Sequence, residues 1–121
     1  MRWIFNDPGL LAKLAAADDA LLDTAPFGVV AMGIDGKVIS YNEAETRLSG
    51  LPRSNVIGRH FFSGVAPCTN NYMVSYRFET EPEIDVIIDY VFTLRMQPTS
   101  VRLRLLKHPD HQCMFLVIER A

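Results

Sequence analysis

Two short stretches of the chain carry side chains whose types and spacing could do chemistry. Cys68 sits in VAPCT, directly after a proline and inside the apolar run FFSGVAPCT. A cysteine in that setting can be a small core side chain, a metal ligand, a nucleophile or the anchor of a covalently bound group. Tyr41 and Glu45 lie four residues apart in SYNEAETRLSG, the tyrosine ending a strand-like run and the glutamate one turn into a helix-like one. Both could reach one point if that helix faces inward. An anion buried in apolar surroundings is costly unless hydrogen-bonded. Tyr41 can donate one bond to it. Glu45 can donate a second only when protonated, which an apolar site favours. Taken by type alone, Cys68 is an inert buried thiol, Tyr41 a strand aromatic, and Glu45 and Glu43 solvated helix residues.

The other reactive types form no set. Cys68, Cys113, His60, His108 and His111 show neither C-x-x-C nor H-x-x-x-H spacing, so no metal site is expected. A cysteine nucleophile needs a base within hydrogen-bond reach, and no histidine neighbours Cys68 in sequence, so the chain is not expected to be an enzyme. Dinucleotide-binding, P-loop and nucleophile-elbow patterns are missing. His60 reads as a surface residue rather than a haem ligand, and Cys113 as core.

The elements that must position Cys68, Tyr41 and Glu45 are legible from patterning. NDPGLLAKLAAADDALLD reads as helix, with Asp7 as a cap and Pro8 in the first turn. Leu10, Leu11, Leu14 and Ala17 form one apolar stripe, which must cover the domain's own sheet or a partner. Asp18-Asp19 breaks that helix before a short turn at Leu21-Leu22. Residues 27–34 and 37–42 read as hairpin strands around Asp35-Gly36. Residues 42–50 read as a helix capped by Asn42 and closed by Gly50. A short helix is expected over 54–58, a loop over 61–69 and a connecting helix over 70–81, stopped before Pro82. Three strands follow, IDVIIDYVFTLRM, SVRLRLLKH and CMFLVIER. In the second, Val101, Leu103 and Leu105 alternate with Arg102 and Arg104, the pattern of a half-buried strand. The order describes an α+β domain: a five-stranded antiparallel sheet with short helices on one face, able to enclose a ligand between them.

The totals agree with one such domain. The chain has 121 residues, 49% of them hydrophobic and 21% charged, with a formal net charge of −2. That suits a single packed core. No concentrated basic face suggests nucleic acid, no run of 18 apolar residues suggests a membrane span, and MRWIFNDPGLL lacks the apolar core of a signal peptide. A cytoplasmic location is the default expectation.

Longer motifs carry a resemblance. DGKVISYNEAE, GLPRSNVIGRHFFSGVAPCT and FTLRMQPTSVRL resemble the photoactive yellow protein family, small blue-light receptors of the PAS fold. The match runs from LAKLAAADDALLDTAPFG to FLVIER. It is gapless from Phe27 to Cys68 and shorter by a few residues between Cys68 and Tyr90. The resemblance implies a PAS fold with an N-terminal helical cap over residues 1–26 and a core over residues 27–121. It implies that Cys68 carries 4-hydroxycinnamic acid (p-coumaric acid) as a thioester, with its own N–H holding the thioester carbonyl. Tyr41 and Glu45 would donate to the phenolate oxygen, and Ser49 would bond Tyr41 in place of the more usual Thr. Val30, Phe61, Val65, Ala66, Thr69, Phe92 and Met96 would line the pocket, although Phe92 and Met96 taken by type alone are more often plain core and inside a pocket would mainly exclude water. Light would isomerise the double bond, Glu45 would give its proton to the phenolate, and the new buried carboxylate would loosen residues 1–26.

Two positions depart from the family pattern. Leu51 stands where an arginine commonly covers the chromophore, and Leu94 where an aromatic is common, with Arg95 beside it. Both bear on colour and recovery rate. The expected partners are the chromophore and a downstream signalling protein, with no nucleic acid or membrane, in a monomer or weak homodimer. The competing expectation is a PAS sensor or dimerisation module that binds another ligand, such as haem, or none.

Overall fold

The computed structural model describes residues 2–93 and 97–120. The chain forms one antiparallel sheet of five strands in the spatial order β2-β1-β5-β4-β3. These are β1 Gly28–Met32, β2 Val38–Tyr41, β3 Ile84–Phe92, β4 Thr99–Lys107 and β5 Met114–Arg120. The β1–β2 hairpin places Val30 opposite Tyr41, and the β1–β5 pairing places Val30 opposite Leu116 and Gly28 opposite Ile118. The hairpin turns at Gly36, where φ is +81° and Lys37 N donates to Asp35 Oδ1 at 3.0 Å.

Alternation along the strands divides the apolar residues between two faces. Val30, Leu103, Leu105, Leu116, Ile118 and Phe92 share an inner cluster with Tyr41, Phe61, Val65 and Ala66. Val29, Ala31, Leu106, Phe115 and Val117 share an outer cluster with Trp3, Phe5, Leu10, Leu14, Leu22 and Phe27. The outer cluster answers the question raised by the N-terminal stripe. Helix α1 (Leu10–Ala16) and helix α2 (Asp19–Leu22) lay Leu10, Leu14 and Leu22 on the domain's own sheet. Each fully buried leucine contributes about 1.5–3 kcal/mol.

Three expectations shift. Asp7 does not cap α1 through its first helical turn; its carboxylate closes the preceding turn by accepting from Gly9 N at 2.8 Å, and it pairs with Lys13. Asp18 instead caps α2 by accepting from Leu21 N at 2.8 Å. Arg104 is not on an open strand face. The N-terminal segment covers it, so β4 is buried on both sides around that residue.

The inner face is covered by the segments between β2 and β3. Helix α3 (Glu43–Ser49) runs from Asn42 to Gly50, whose φ of +76° is a left-handed cap that glycine adopts without strain. A tight turn at Arg53–Asn55 replaces the helix expected over 54–58. The expected loop is two helical turns. Phe61–Val65 is a wide turn closed by Ala66 N donating to Phe61 O at 2.8 Å, and Pro67–Thr69 is a narrow one. The connecting helix shrinks to α4, Ser75–Thr80. Asn71 is the reason: its Oδ1 accepts from Met73 N and Val74 N, bonds that compete with helix. No helix among the described residues is long and apolar enough to cross a membrane.

Candidate functional site

The site is built at the junction of β2 and α3. The Asn42 side chain caps α3 by accepting from Glu45 N at 3.2 Å, and it also accepts from Val29 N at 2.9 Å. Its amide donates to Leu22 O and Phe27 O, both at 3.0 Å. One buried amide therefore ties the N-terminal segment, β1 and α3 together and sets the rotation of α3. That rotation turns Glu45 inward, where it is 1% exposed. Gly28 makes room for it. A Cβ at Gly28 would lie 2.2 Å from Glu45 Oε1, closer than any real contact, so a larger residue there would force the Glu45 carboxylate to move.

The carboxylate meets three groups. Arg120 Nη1 donates to Glu45 Oε1 at 2.8 Å, Nη2 lies 3.4 Å from Oε2, and the Tyr41 hydroxyl lies 3.4 Å from the same oxygen. The Tyr41 hydroxyl is also 2.9 Å from Ser49 Oγ, which accepts from Leu51 N at 3.2 Å. Burial pushes the Glu45 pKa up, while the hydrogen bond and charge of Arg120, and then Tyr41, pull against it; the result is raised. Burial and the Glu45 charge push the Tyr41 phenol well above its ordinary value, so Tyr41 stays a neutral donor. Glu43 on the same helix is exposed and caught by Arg53.

Cys68 lies in the Pro67–Thr69 turn, half-buried against the inner cluster. The backbone around it is pinned. Cys68 O accepts from the Tyr90 hydroxyl at 2.6 Å and from Asn71 Nδ2 at 3.3 Å, and Thr69 Oγ1 donates to Ala66 O at 2.7 Å. Val30, Phe61, Val65, Ala66 and Phe92 are buried in the same cluster as Tyr41, and Thr69 is buried beside them in the chain. Leu51 packs against the cluster's edge. Met96, Leu94 and Arg95 lie outside the described residues. A cleft of about 700 Å³ opens beside this region, with Tyr90, Val101 and Met73 in its wall.

Arg120, Asn71, Tyr90 and Gly28 escaped sequence reasoning. Arg120 had a signal. Leu116, Ile118 and Arg120 fall on one face of β5 by period two, and that face is otherwise apolar. Two further residues differ from expectation. Cys113 is half-buried at the rim of the outer cluster rather than in a core. His60 is half-buried, and its Nδ1 accepts from Ser63 N at 3.1 Å, capping the turn that follows.

With this geometry in view, comparison with known proteins is informative. The PAS fold model matches residues 16–112. The photoactive yellow protein of Rhodothalassium salexigens is 30% identical over 97% of this chain and 96% of its own length. That of Halochromatium salexigens is 33% identical over 96% and 95%. Among solved structures, the photoactive yellow protein domain from the sensor histidine kinase Ppr of Rhodospirillum centenum superposes with a TM-score of 0.82 at 32% identity, covering 90% of this chain and 98% of that one. A PAS domain of an HTR-like protein from Haloarcula marismortui, 16% identical, shares the fold alone. The sheet order, the buried Tyr41–Glu45 cluster and these full-length matches together make this chain a member of the photoactive yellow protein family of PAS domains.

Proposed function

We propose that the chain is a blue-light photoreceptor that holds 4-hydroxycinnamic acid as a thioester on Cys68. The observation that carries this reading is a buried set of hydroxyl and carboxyl groups, Tyr41, Ser49 and Glu45, that borders the apolar cluster against which a half-buried cysteine also packs. Those residues fit the group: a thiol for one end, two donors for a phenolate at the other, and apolar walls from Val30, Phe61, Val65, Ala66 and Phe92 between. Thr69 holds the attachment turn, and Met96 belongs to the proposed lining by resemblance. Haem fits less well, because His60 Nδ1 accepts from Ser63 N, which leaves the ring proton on Nε2, the atom an iron would need.

Attachment transfers the acyl group of an activated ester or thioester to the Cys68 sulfur and releases the carrier. When bound, the group supplies visible absorption and a double bond that light isomerises. Tyr41 and a protonated Glu45 donate to its phenolate, each bond to the charged acceptor contributing about 1.5–3 kcal/mol. Glu45 gives up its proton after illumination, and the new carboxylate disturbs the Asn42 junction one turn away, which also holds Leu22 O and Phe27 O. Residues 1–26 are the proposed mobile cap and residues 27–121 the core. The output is a signalling protein outside this chain, in the cytoplasm, reached by a monomer or weak homodimer. No catalytic turnover belongs to this reading.

The test is to incubate the protein with an activated p-coumaric acid derivative and record the intact mass and visible spectrum. One added 4-hydroxycinnamoyl mass and a yellow, light-bleachable product are expected. In the loaded protein, Glu45→Gln should absorb at longer wavelength, because a weaker donor leaves the phenolate charge more delocalised. A colourless, unmodified protein would return the chain to a PAS module for another ligand.

A further inference from the structure

The inner face of the sheet holds a cation that neither the patterning nor the proposed photochemistry uses. Arg120 ends the apolar register of β5, opposite Val101, with its side chain only 15% exposed. Its guanidinium sits 5.9 Å from the centroid of the Phe92 ring and engages both oxygens of Glu45. Among the described residues it forms no second ion pair. An arginine at a strand end normally keeps its charge in water. Here it is folded inward against an aromatic wall and a carboxylate that is itself buried.

We propose that Arg120 is the standing counter-cation of this pocket: it pairs with the Glu45 carboxylate when the site holds no other anion, and it balances a bound phenolate once Glu45 has taken up a proton. The second half rests on the photoreceptor reading; the first does not. The charges balance at each stage. Before loading, the site holds one cation, Arg120, and one anion, Glu45. On loading, Glu45 accepts the proton that the phenol gives up, so one cation and one anion remain. When Glu45 returns that proton after illumination, it regains a partner already in place. The carboxylate that light creates is therefore partly compensated from the start, in place of the isolated buried charge expected from the sequence, and the uncompensated remainder acts on the Asn42 junction. The groups facing Glu45 are few. Tyr41 of β2 is a neutral donor, Arg120 of β5 is the cation, and β1 presents only Gly28.

The test begins with the chromophore-free protein. Infrared difference spectra between the wild type and Glu45→Gln isolate the Glu45 carboxyl band, and its midpoint is followed with pH. The same difference is taken in Arg120→Gln and Arg120→Lys backgrounds, with circular dichroism to establish folding. An opposite charge at this range lowers a carboxyl pKa by roughly 1–3 units. Arg120→Gln should therefore raise the Glu45 midpoint by at least about one unit, a tenfold change in proton affinity, and Arg120→Lys should restore much of it. Equal midpoints in wild type and Arg120→Gln overturn the proposal. If Arg120→Gln does not fold, Arg120→Met, which keeps the packing against Phe92 without the charge, takes its place, and an equal midpoint there overturns the proposal equally.

The loaded proteins are then titrated for the pH at which colour is lost. Arg120→Gln should lose colour at a pH higher by at least about one unit, because the phenolate has lost its cation. A coloured adduct with equal midpoints refutes the counter-cation role and leaves the photoreceptor reading intact. No adduct on the wild type refutes that reading and the second half of the proposal, while the infrared result still decides the first half.

Discussion

Each face of the sheet carries an inward-folded arginine, and the two are built for opposite ends. Arg104, on the outer face, is 4% exposed and spends its donors on four acceptors: Phe5 O at 2.8 Å, Asp7 O at 2.7 Å, and the Asp85 oxygens at 2.9 and 3.0 Å. Two of these are backbone carbonyls, which cannot titrate, and Asp85 is 54% exposed, so its charge is cheap to keep. Arg120, on the inner face, is more exposed than Arg104, but its partner Glu45 is almost wholly buried. The outer arginine staples a segment in place whatever the pH. The inner one faces a group whose proton is in play. A buried ion pair is thus not one kind of object: what matters is which member is out of water and whether it can be neutralised.

The sharpest way to break this division of labour is Cys68→Ala. If the inner face does the chemistry, this change abolishes the covalent mass increment entirely, while Arg104→Ala still acquires it. Covalent label retained in Cys68→Ala would sink the assignment of the attachment point.

The next effect in size belongs to the outer face. Arg104→Ala leaves Phe5 O without its donor under a covered surface and removes one of two bonds to Asp7 O, which keeps the one from Leu10 N. An unsatisfied buried acceptor and the loss of a well-bonded charge predict a cost of about 3 kcal/mol in urea unfolding. Hydrogen exchange should rise first in residues 2–22. A loss below about 1 kcal/mol would make Arg104 a bystander and place the hold of the N-terminal segment in Leu10, Leu14 and Leu22 alone.

Gly28→Ala sharpens the inner half of the comparison. The added methyl would meet the Glu45 carboxylate and must push it away from Arg120 or Tyr41. Overpacking of this kind predicts about 2 kcal/mol. It should also change the Glu45 infrared band, which a purely steric effect elsewhere in the core would leave alone. An unperturbed band with full stability would mean that Glu45 is less confined than its burial indicates.

What was legible in the sequence divides along the same line. The five strands, α3 with its Asn42 and Gly50 caps, and the N-terminal stripe follow from apolar period, turn residues and capping chemistry, which act over a few residues. Tyr41 and Glu45 could be paired because they are one helical turn apart. Arg120 joins them across 75 positions of chain, and Arg104 reaches Phe5 across 99. No local pattern encodes such contacts beyond the hint that a charge ends an apolar register. The segment from Phe61 to Ser75 was misread for a different reason. His60, Asn70, Asn71 and Pro67 trade ordinary helix bonds for side-chain caps and turns, so neither a loop nor a continuous helix describes it.

The smallest effect tests how the two faces respond to pH. Glu45 has a folded-state pKa above the ordinary carboxyl value, because burial outweighs Arg120. The folded protein therefore holds this proton more tightly than the unfolded chain does. The stability linked to that proton is fully present below about pH 4.5, the unfolded value. It is lost as pH rises through the folded-state value. In the chromophore-free protein, urea midpoints should fall across this window, and the fall should vanish in Glu45→Gln. Asp7 contributes the opposite sign. Its pKa is lowered, first by the bond from Lys13 and then by that from Gly9 N, so its contribution is present above its unfolded value of 3.8 and fades as pH drops. The two windows lie on either side of about pH 4, so the slopes separate. If Glu45→Gln kept the full downward slope above pH 4.5, the titrating group would lie elsewhere, and the contrast between a staple and a proton-handling pair would lose its physical basis.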